Sequence, residues 1–171
     1  MKYKHFRDPD NFAYRLEDEA DCSICKNKGL WFDAGSFYGV NEIDCICDKC
    51  LMSGELQSLS IETNEAFDGD KKDINEIIYK TPALPTWQGR EWPFIDGQYC
   101  IFEKIASKVD FASKKDFIFS FPESERKDSD LDWLWDVLPE KKITNVKNAN
   151  YDISVYLFSI NGKKFCTWDA S

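Results

Sequence analysis

The stretch that organises the N-terminal third of the chain is residues 22–50, which read CSICKNKGLWFDAGSFYGVNEIDCICDKC. It contains two C-x2-C pairs, Cys22/Cys25 and Cys47/Cys50, with 21 residues between them. A C-x2-C turn points both sulfurs into one hollow, so two such turns supply the four thiolates of a tetrahedral Zn²⁺ site. The spacing is close to that of double-pair zinc sites. We therefore predict one structural Zn²⁺, bound by Cys22, Cys25, Cys47 and Cys50.

Three alternatives to this ligand set follow from the same residues. Cys45 could replace Cys47, although only Cys47 has the two-residue gap to Cys50. The cysteines could also be buried thiols without metal, or one pair could be a redox C-x2-C. A four-thiolate site has no open coordination position, so it would stabilise the fold rather than catalyse a reaction. Cys100 and Cys166 stand among apolar and aromatic residues, which predicts buried core thiols.

The segments next to the cysteines predict a knuckle–hairpin–helix unit over about residues 20–60. Between the two pairs, aromatic runs at 30–32 and 37–40 flank an Asp-Ala-Gly-Ser sequence, which is typical of a hairpin. After the second pair, Leu51, Leu56 and Leu59 have helical spacing, with the helix starting just before that pair. Upstream, Pro9 is expected to prevent an early helix.

The rest of the chain, about residues 76–171, combines predicted strands and helices. Residues 117–121 (FIFSF) predict a strand, and residues 130–138 predict a short amphipathic helix that stops at Pro139. Asn161-Gly162 lies between two β-rich runs and predicts a C-terminal hairpin. Two prolines exclude an interior helix at 81–88. Together these patterns predict an α+β fold in a single domain, residues 1–171.

Composition and charge limit the classes of protein to which the chain can belong. It has 171 residues, a formal charge of −9 and 15% aromatic residues, so it is too rich in aromatics for a disordered acidic chain. A pI near 4.7 argues against a nucleic acid as the direct ligand. The N-terminus resembles no signal peptide, and no apolar run is long enough to span a membrane. With seven cysteines, these features predict a cytoplasmic protein.

The sequence contains no recognisable set of catalytic residues. Its only histidine is His5, which we expect near a frayed terminus, so most Ser-His and Cys-His arrangements are excluded. Neither G-x4-G-K-[ST] nor G-x-G-x-x-G occurs. Carboxylate pairs are expected by chance in a chain with 31 acidic residues. We therefore predict that the protein is not an enzyme.

The motifs taken together resemble the CbrC family, a group of small bacterial proteins named for a member linked to tolerance of a DNase colicin. The resemblance covers nearly the whole chain in the family's order. The matching motifs are His5-Phe6-Arg7 with Pro9-Asp10, Cys22-x2-Cys25, Gly35-x2-Tyr38, Cys47-x2-Cys50 with Gly54, Glu76-x2-Tyr79-Lys80-Thr81-Pro82, Trp87-Gln88-x2-Glu91-Trp92, Tyr156-Leu157-Phe158, Gly162-Lys163 and Trp168.

The resemblance implies an immunity protein that binds a bacterial toxin domain, of nuclease type, and neutralises it stoichiometrically. Family members often carry extra cysteines near the C-terminal Gly-Lys and after Trp92, but this chain keeps only Cys100 there, which argues for one metal site. A nuclease cleft is basic, so an acidic and aromatic inhibitor surface would be attracted to it. The alternative function is a zinc-stabilised adaptor or regulator that binds another cellular protein.

The best candidate for a partner-binding surface is residues 123–140, which carry seven acidic residues against Arg126 and Lys127. Trp133 is expected to lie off the apolar helix face, where a tryptophan among carboxylates is a plausible binding hot spot. Residues 62–76 are a weaker acidic candidate, and Trp87, Gln88, Glu91 and Trp92 more plausibly build a buried corner than a groove. The predicted partner-binding residues are Asp128, Asp130, Asp132, Trp133 and Asp136.

Overall fold

Short helices and strands alternate along the residues that the computed structural model describes, which are 2–86, 88–127, 130–145 and 152–170. The helices are α1 (Pro9–Phe12), α2 (Asp48–Ser53), α3 (Glu55–Leu59), α4 (Lys71–Lys80), α5 (Lys114–Phe119) and α6 (Asp130–Val137). The strands are β1 (Ala20–Asp21), β2 (Lys28–Gly29), β3 (Phe32–Asp33), β4 (Tyr38–Gly39), β5 (Cys45–Ile46), β6 (Ile61–Glu62), β7 (Phe94–Ile95), β8 (Gln98–Tyr99), β9 (Ile101–Ile105), β10 (Ile153–Ile160) and β11 (Lys163–Ala170). This mixture of helices and strands confirms the predicted α+β class.

An antiparallel sheet in the order β11-β10-β9 lies between two clusters of buried side chains. Successive side chains of a strand point to opposite faces of a sheet. Along β10, Tyr156 and Phe158 accordingly join the cluster that contains the cysteine-rich segment, whereas Val155 and Leu157 join the cluster formed with α5 and α6. The central strand therefore contributes to both cores at once.

The C-terminal hairpin that the sequence predicts is confirmed. β10 and β11 pair antiparallel from Ile153↔Ala170 to Ile160↔Lys163. The two turn residues, Asn161 and Gly162, have φ values of 49° and 75°, the left-handed conformation that a tight two-residue hairpin turn requires. Asn and Gly adopt this conformation most readily, which explains why two residues are enough to fix the register of eight pairs.

The predicted strand at 117–121 is wrong, because this segment belongs to α5 and its C-terminal turn. Ser113 caps the helix by accepting a hydrogen bond from the backbone N–H of Asp116. Phe117 and Phe121, four residues apart, are buried on one side, while Phe119 between them is 57% exposed. Five residues are too few to distinguish a strand from a helix by apolar content alone, and the cap and tertiary packing decide the outcome.

The predicted hairpin between 30–32 and 37–40 is also wrong. β3 pairs with β5, and β4 pairs with β6, so the two aromatic runs belong to separate two-stranded ladders. The Asp33 carboxylate accepts a hydrogen bond from the Gly35 N–H at 2.9 Å, which forms a local turn without bringing the flanking runs together. Both runs instead pair with residues more than ten positions away.

The helical prediction after Cys50 is confirmed in position, with an interruption. Gly54 adopts a left-handed conformation (φ 80°), ends α2 and precedes α3, so the helix becomes two short ones. The expectation that Pro9 prevents an early helix is wrong, because Pro9 is the first residue of α1. Proline is tolerated at that position since its missing N–H would have no partner within the helix.

A buried polar cluster holds the segment that connects the cysteine-rich part to the sheet. Thr63 and Asn64 are fully buried. The Thr63 hydroxyl donates to the Thr81 carbonyl at 2.7 Å, and the Asn64 amide donates to the Pro82 carbonyl at 3.1 Å. Residues 81–86 are not helical, as the two prolines predict.

Among the described residues, no helix is both long and apolar enough to cross a membrane.

Candidate metal centre and acidic surface

The four predicted cysteines converge on one point. The Sγ atoms of Cys22, Cys25, Cys47 and Cys50 all lie within 4.8 Å of one another, and those of Cys25 and Cys47 are 3.6 Å apart. A Zn–S bond of about 2.3 Å in a tetrahedral site places neighbouring sulfurs about 3.8 Å apart. The Cys25–Cys47 distance is close to that value and no pair exceeds 4.8 Å, so the four sulfurs are close enough together to hold one metal ion.

A tight knuckle presents the first pair of sulfurs. β1 and β2 pair on either side of it, and the Cys22 N–H donates to the Asn27 carbonyl at 2.9 Å. The Lys26 N–H donates to the Cys22 carbonyl at 2.9 Å, and Lys26 takes a left-handed φ of 62°. The chain therefore reverses direction directly after Cys25, which leaves both sulfurs on the inner side of the turn.

The second pair lies at the start of α2. Cys47 is the N-cap residue, and its Sγ accepts a hydrogen bond from the Cys50 N–H at 3.4 Å. The Cys47 N–H donates to the Cys22 Sγ at 3.3 Å, so the backbone of one pair supports a sulfur of the other. The Ser23 N–H donates to the Cys45 carbonyl at 3.0 Å, which fixes the two loops relative to each other.

The position of each sulfur distinguishes Cys45 from Cys47, the two cysteines that the sequence left as alternative ligands. The Cys45 Sγ donates to the Asp21 carbonyl at 3.4 Å. Across the described residues, the group of sulfurs that could hold a metal contains Cys47 and not Cys45. Cys45 is the first residue of β5, which ends at Ile46, whereas Cys47 is the N-cap of α2, and its Sγ accepts a hydrogen bond from the Cys50 N–H.

The surroundings of the cluster shift the pKa values of its thiols in opposite directions. Burial by itself raises the pKa of the Cys22 thiol, but backbone N–H groups of Cys25 and Cys47 outweigh it and bring the pKa to about 7. The pKa of Cys50 is raised by burial and by its hydrogen bond with Cys47. Four thiolates this close together would repel one another, and a bound divalent cation would remove that repulsion.

An ion pair that the sequence reasoning missed fixes the helix carrying the second cysteine pair. Arg15 donates from both terminal nitrogens to the Asp48 carboxylate, at 3.1 Å each, and Tyr3 donates to the same carboxylate at 3.0 Å. The guanidinium also lies 4.0 Å from the centre of the Phe32 ring. Asp48 is the first residue of α2, so this contact ties the N-terminal segment to the helix that follows Cys47. No pattern in the sequence links residues so far apart.

The single histidine is not at a frayed terminus, so that expectation is wrong. His5 is buried, with its Nδ1 3.2 Å from the Cys100 carbonyl, because residues 5–7 run alongside β9. Burial lowers the pKa of His5. Cys100 and Cys166 are fully buried, as predicted, and burial raises the pKa of Cys100 to about 12. Burial also raises the pKa of Cys166.

Four of the five predicted partner-binding residues lie on the exposed side of α6. Leu131, Leu134 and Leu138 pack into the core, which leaves Asp130, Asp132, Trp133 and Asp136 exposed. Asp128 lies outside the described residues. We use the term α6 face for the exposed residues Asp130, Asp132, Trp133, Asp136 and Val137.

Two contacts on the α6 face were not predicted from the sequence. The Trp133 ring lies 6.3 Å from that of Trp168 on β11, in an edge-to-face arrangement. Lys114 forms an ion pair with Asp132 at 2.6 Å, and this contact raises the pKa of Lys114. Trp133 is 46% exposed and Val137, one helical turn away, is 45% exposed. Apolar and acidic groups therefore share one surface.

The two weaker partner-binding candidates have mixed outcomes. Trp92 is buried, which confirms the prediction that it belongs to the core, while Gln88 and Glu91 are exposed. Trp87 lies outside the described residues. In the 62–76 segment, Thr63 and Asn64 face inward, and Phe67 is 69% exposed.

Comparison with known proteins places the chain in a family without assigning it an activity. A family model described as an uncharacterised protein family, UPF0167, matches residues 1–168. No solved structure matches the chain. The match covers both the cysteine cluster and the C-terminal hairpin, and therefore nearly every element of the fold. The chain belongs to the UPF0167 family.

Proposed function

We propose that the metal held by the four cysteines is a structural Zn²⁺. The support is the donor set: four cysteine sulfurs within 4.8 Å of one another can supply all four ligands of a tetrahedral Zn²⁺ and leave no coordination position for a substrate. Cys22, Cys47 and Cys50 are buried in the larger core cluster, so the metal would join the knuckle, α2 and that core. A redox role for one pair has less support, because a redox C-x2-C needs only one pair, whereas here the sulfurs of both pairs form a single group.

The compartment is proposed from the cysteines as well. The seven cysteines, none of them in a disulfide, suit a reducing compartment, and we propose that the protein is cytoplasmic.

We further propose that the protein is an immunity protein that binds and neutralises a bacterial toxin domain, of nuclease type, by stoichiometric inhibition. The observation that carries this proposal is the α6 face. It combines an exposed tryptophan with three acidic residues in a chain whose formal charge is −9. The UPF0167 match is consistent with the resemblance to CbrC, because CbrC belongs to that family.

The proposed inhibition depends on charge and on one aromatic anchor. The basic cleft of a nuclease attracts an acidic surface over long range and thereby accelerates association. Trp133 then supplies apolar area at low entropic cost, since Trp168 already supports its ring on one side. A toxin arginine or lysine would compete with Lys114 for Asp132. An exposed ion pair of this kind contributes little to stability, so exchanging it costs little.

The direct test mixes the full zinc-containing chain with the toxin domain encoded by the neighbouring gene. We expect a one-to-one complex by light scattering, loss of nuclease activity at equimolar ratio and growth protection on co-expression. The Asp132→Lys/Asp136→Lys variant should bind more weakly and with a smaller salt dependence. Asp18→Lys/Glu19→Lys makes the same charge change at exposed sites away from α6 and serves as the matched control.

Two results would contradict the proposal. If no complex forms and co-expression gives no protection, the protein is not an immunity protein for that toxin class, and the alternative of a zinc-stabilised adaptor gains support. If a complex forms but both double variants weaken it equally, net charge rather than the α6 face determines binding.

A further inference from the structure

A pocket of about 520 Å³ lies on the side of the sheet where two hairpin turns meet the C-terminal end of α5. One turn joins β7 to β8 and the other joins β10 to β11. The Gln98 side chain donates to the Asn161 side chain at 3.0 Å, which ties the two turns together. We call this cavity the turn pocket. It is lined on the apolar side by Ile95, Phe119, Phe121, Ile160 and Phe165.

The charge of the turn pocket is opposite to that of the whole protein. Its lining contains three cations, Arg126, Lys163 and Lys164, against the two carboxylates of Asp96 and Asp116. Lys164 is neutralised by Asp116 at 2.7 Å. Arg126 and Lys163 also line the cavity, and within the described part of the chain neither forms an ion pair. A local excess of positive charge in a chain of charge −9 favours an anionic ligand.

The guanidinium of Arg126 is held in place before any ligand arrives. Its Nε donates to the Phe121 carbonyl at 2.9 Å, and one terminal nitrogen donates to the Phe119 carbonyl at 3.1 Å. The same group lies 5.0 Å from the centre of the Phe119 ring. These contacts use the carbonyls that the end of α5 leaves without helical partners. The arginine therefore loses little conformational entropy when it meets an anion.

We infer that the turn pocket binds a small organic anion, with a phosphate or carboxylate facing Lys163 and Arg126 and an apolar body against Phe119 and Phe165. Ligand sites are typically concave and mostly apolar, with a few polar groups that fix orientation, and the turn pocket has both features. Arginine binds phosphate and carboxylate through paired N–H groups, which supplies the recognition of charge. This inference does not depend on the proposed immunity function, because it uses neither α6 nor a protein partner.

The test is a titration of the ¹⁵N-labelled, zinc-loaded full chain with phenyl phosphate, followed by amide chemical shifts. We expect saturable shifts centred on Ser120, Gly162 and Lys163. Inorganic phosphate has the charge without the apolar body, and benzyl alcohol has the ring without the charge. Each of these should bind at least about tenfold more weakly than phenyl phosphate if both parts of the pocket contribute.

Substitution of one lysine tests whether phenyl phosphate binds at the turn pocket or is attracted to lysines in general. Lys163→Glu should weaken phenyl phosphate binding about tenfold or more, since it reverses one of the charges that face the ligand. Lys72→Glu makes the same charge change at an exposed position of α4 and should leave the affinity for phenyl phosphate within about twofold of the wild type. Thermal unfolding and zinc content confirm that both variants fold.

Three outcomes would overturn the inference. The first is shifts that spread over many exposed lysines and never saturate, and the second is equal affinity of the wild type and Lys163→Glu. The third is binding of benzyl alcohol as tight as that of phenyl phosphate, which would show an apolar pocket without selectivity for anions.

Discussion

The cysteine-rich segment of residues 20–62 and the C-terminal layer of β10, β11, α5 and α6 are stabilised in different ways. In the first, every strand is two residues long and the two helices have six and five residues. Elements this short are not stable alone. In the second, two eight-residue strands form a continuous ladder and aromatic rings fill the core. The comparison teaches that the first region, with little backbone pairing of its own, relies on side-chain packing into the larger core and on the cysteine cluster, whereas the second relies on backbone pairing as well as packing.

The largest expected effect comes from removing a metal ligand. Cys22→Ser should lose the metal and destabilise the cysteine-rich segment, residues 20–62, more than the C-terminal layer. Structural Zn²⁺ binding is worth about 10–16 kcal/mol, comparable to the whole stability of a small domain. In hydrogen exchange, amides of residues 20–62 should lose more protection than those of β10 and β11. Elemental analysis measures the zinc.

The matched control for this variant is Cys45→Ser, which changes a buried cysteine two residues from a ligand. It should retain one zinc per chain, because the Cys45 sulfur bonds to the Asp21 carbonyl rather than joining the cluster. Loss of zinc in both variants would contradict the ligand set. Uniform loss of protection along the chain in Cys22→Ser would contradict the contrast between the regions.

A core substitution in the C-terminal layer should have the next largest effect. The Phe117 ring is fully buried and lies 5.1 Å from Phe111 and 5.0 Å from Phe121. Phe117→Ala should lower the free energy of unfolding by about 3–5 kcal/mol, by leaving a cavity. Phe119→Ala, two residues away on the exposed side of α5, should cost less than about 1 kcal/mol. Urea unfolding measures both, and equal losses would argue against the helical placement of this segment.

The ion pair at the start of α2 should have a smaller effect on the cysteine-rich region. Asp48→Asn removes the charge that Arg15 and Tyr3 contact, and both partners are mostly buried. We expect a loss of about 1–3 kcal/mol in the free energy of unfolding. The exposed carboxylate of Asp10 also contacts Arg15, and Asp10→Asn should change stability by less than about 0.5 kcal/mol. A larger effect at Asp10 would show that the buried contact is not the important one.

Trp133→Ala should have the smallest effect on stability and a large effect on the proposed binding. Nearly half of the side chain is exposed, so its removal should cost about 1 kcal/mol or less. Affinity for a cognate toxin should fall more than about tenfold if Trp133 is a hot spot. Phe67→Ala removes another exposed aromatic ring away from α6 and should leave affinity unchanged. Calorimetry of both variants decides whether the C-terminal layer carries the interface.

The parts of the structure that sequence reasoning predicted depend on neighbours close along the chain. The two C-x2-C turns, the Asn161-Gly162 hairpin and α6 each need only local geometry, a tight turn or a 3.6-residue repeat. The α+β class followed from these. The errors at 30–40 and 117–121 arose where apolar runs were short, since such runs fit a strand or a helix equally well.

The sequence by itself determined that two C-x2-C turns supply the sulfurs of the cluster, where the C-terminal turn lies and that Trp133 stays outside the core. The tertiary structure decided the rest: that Cys47 and not Cys45 faces the other sulfurs, that Asp48 meets Arg15 and Tyr3, and that residues 5–7 bury His5 beside β9. The physical reason is that backbone turns and helices follow from adjacent residues. Contacts between distant residues are selected only when the whole chain packs at once.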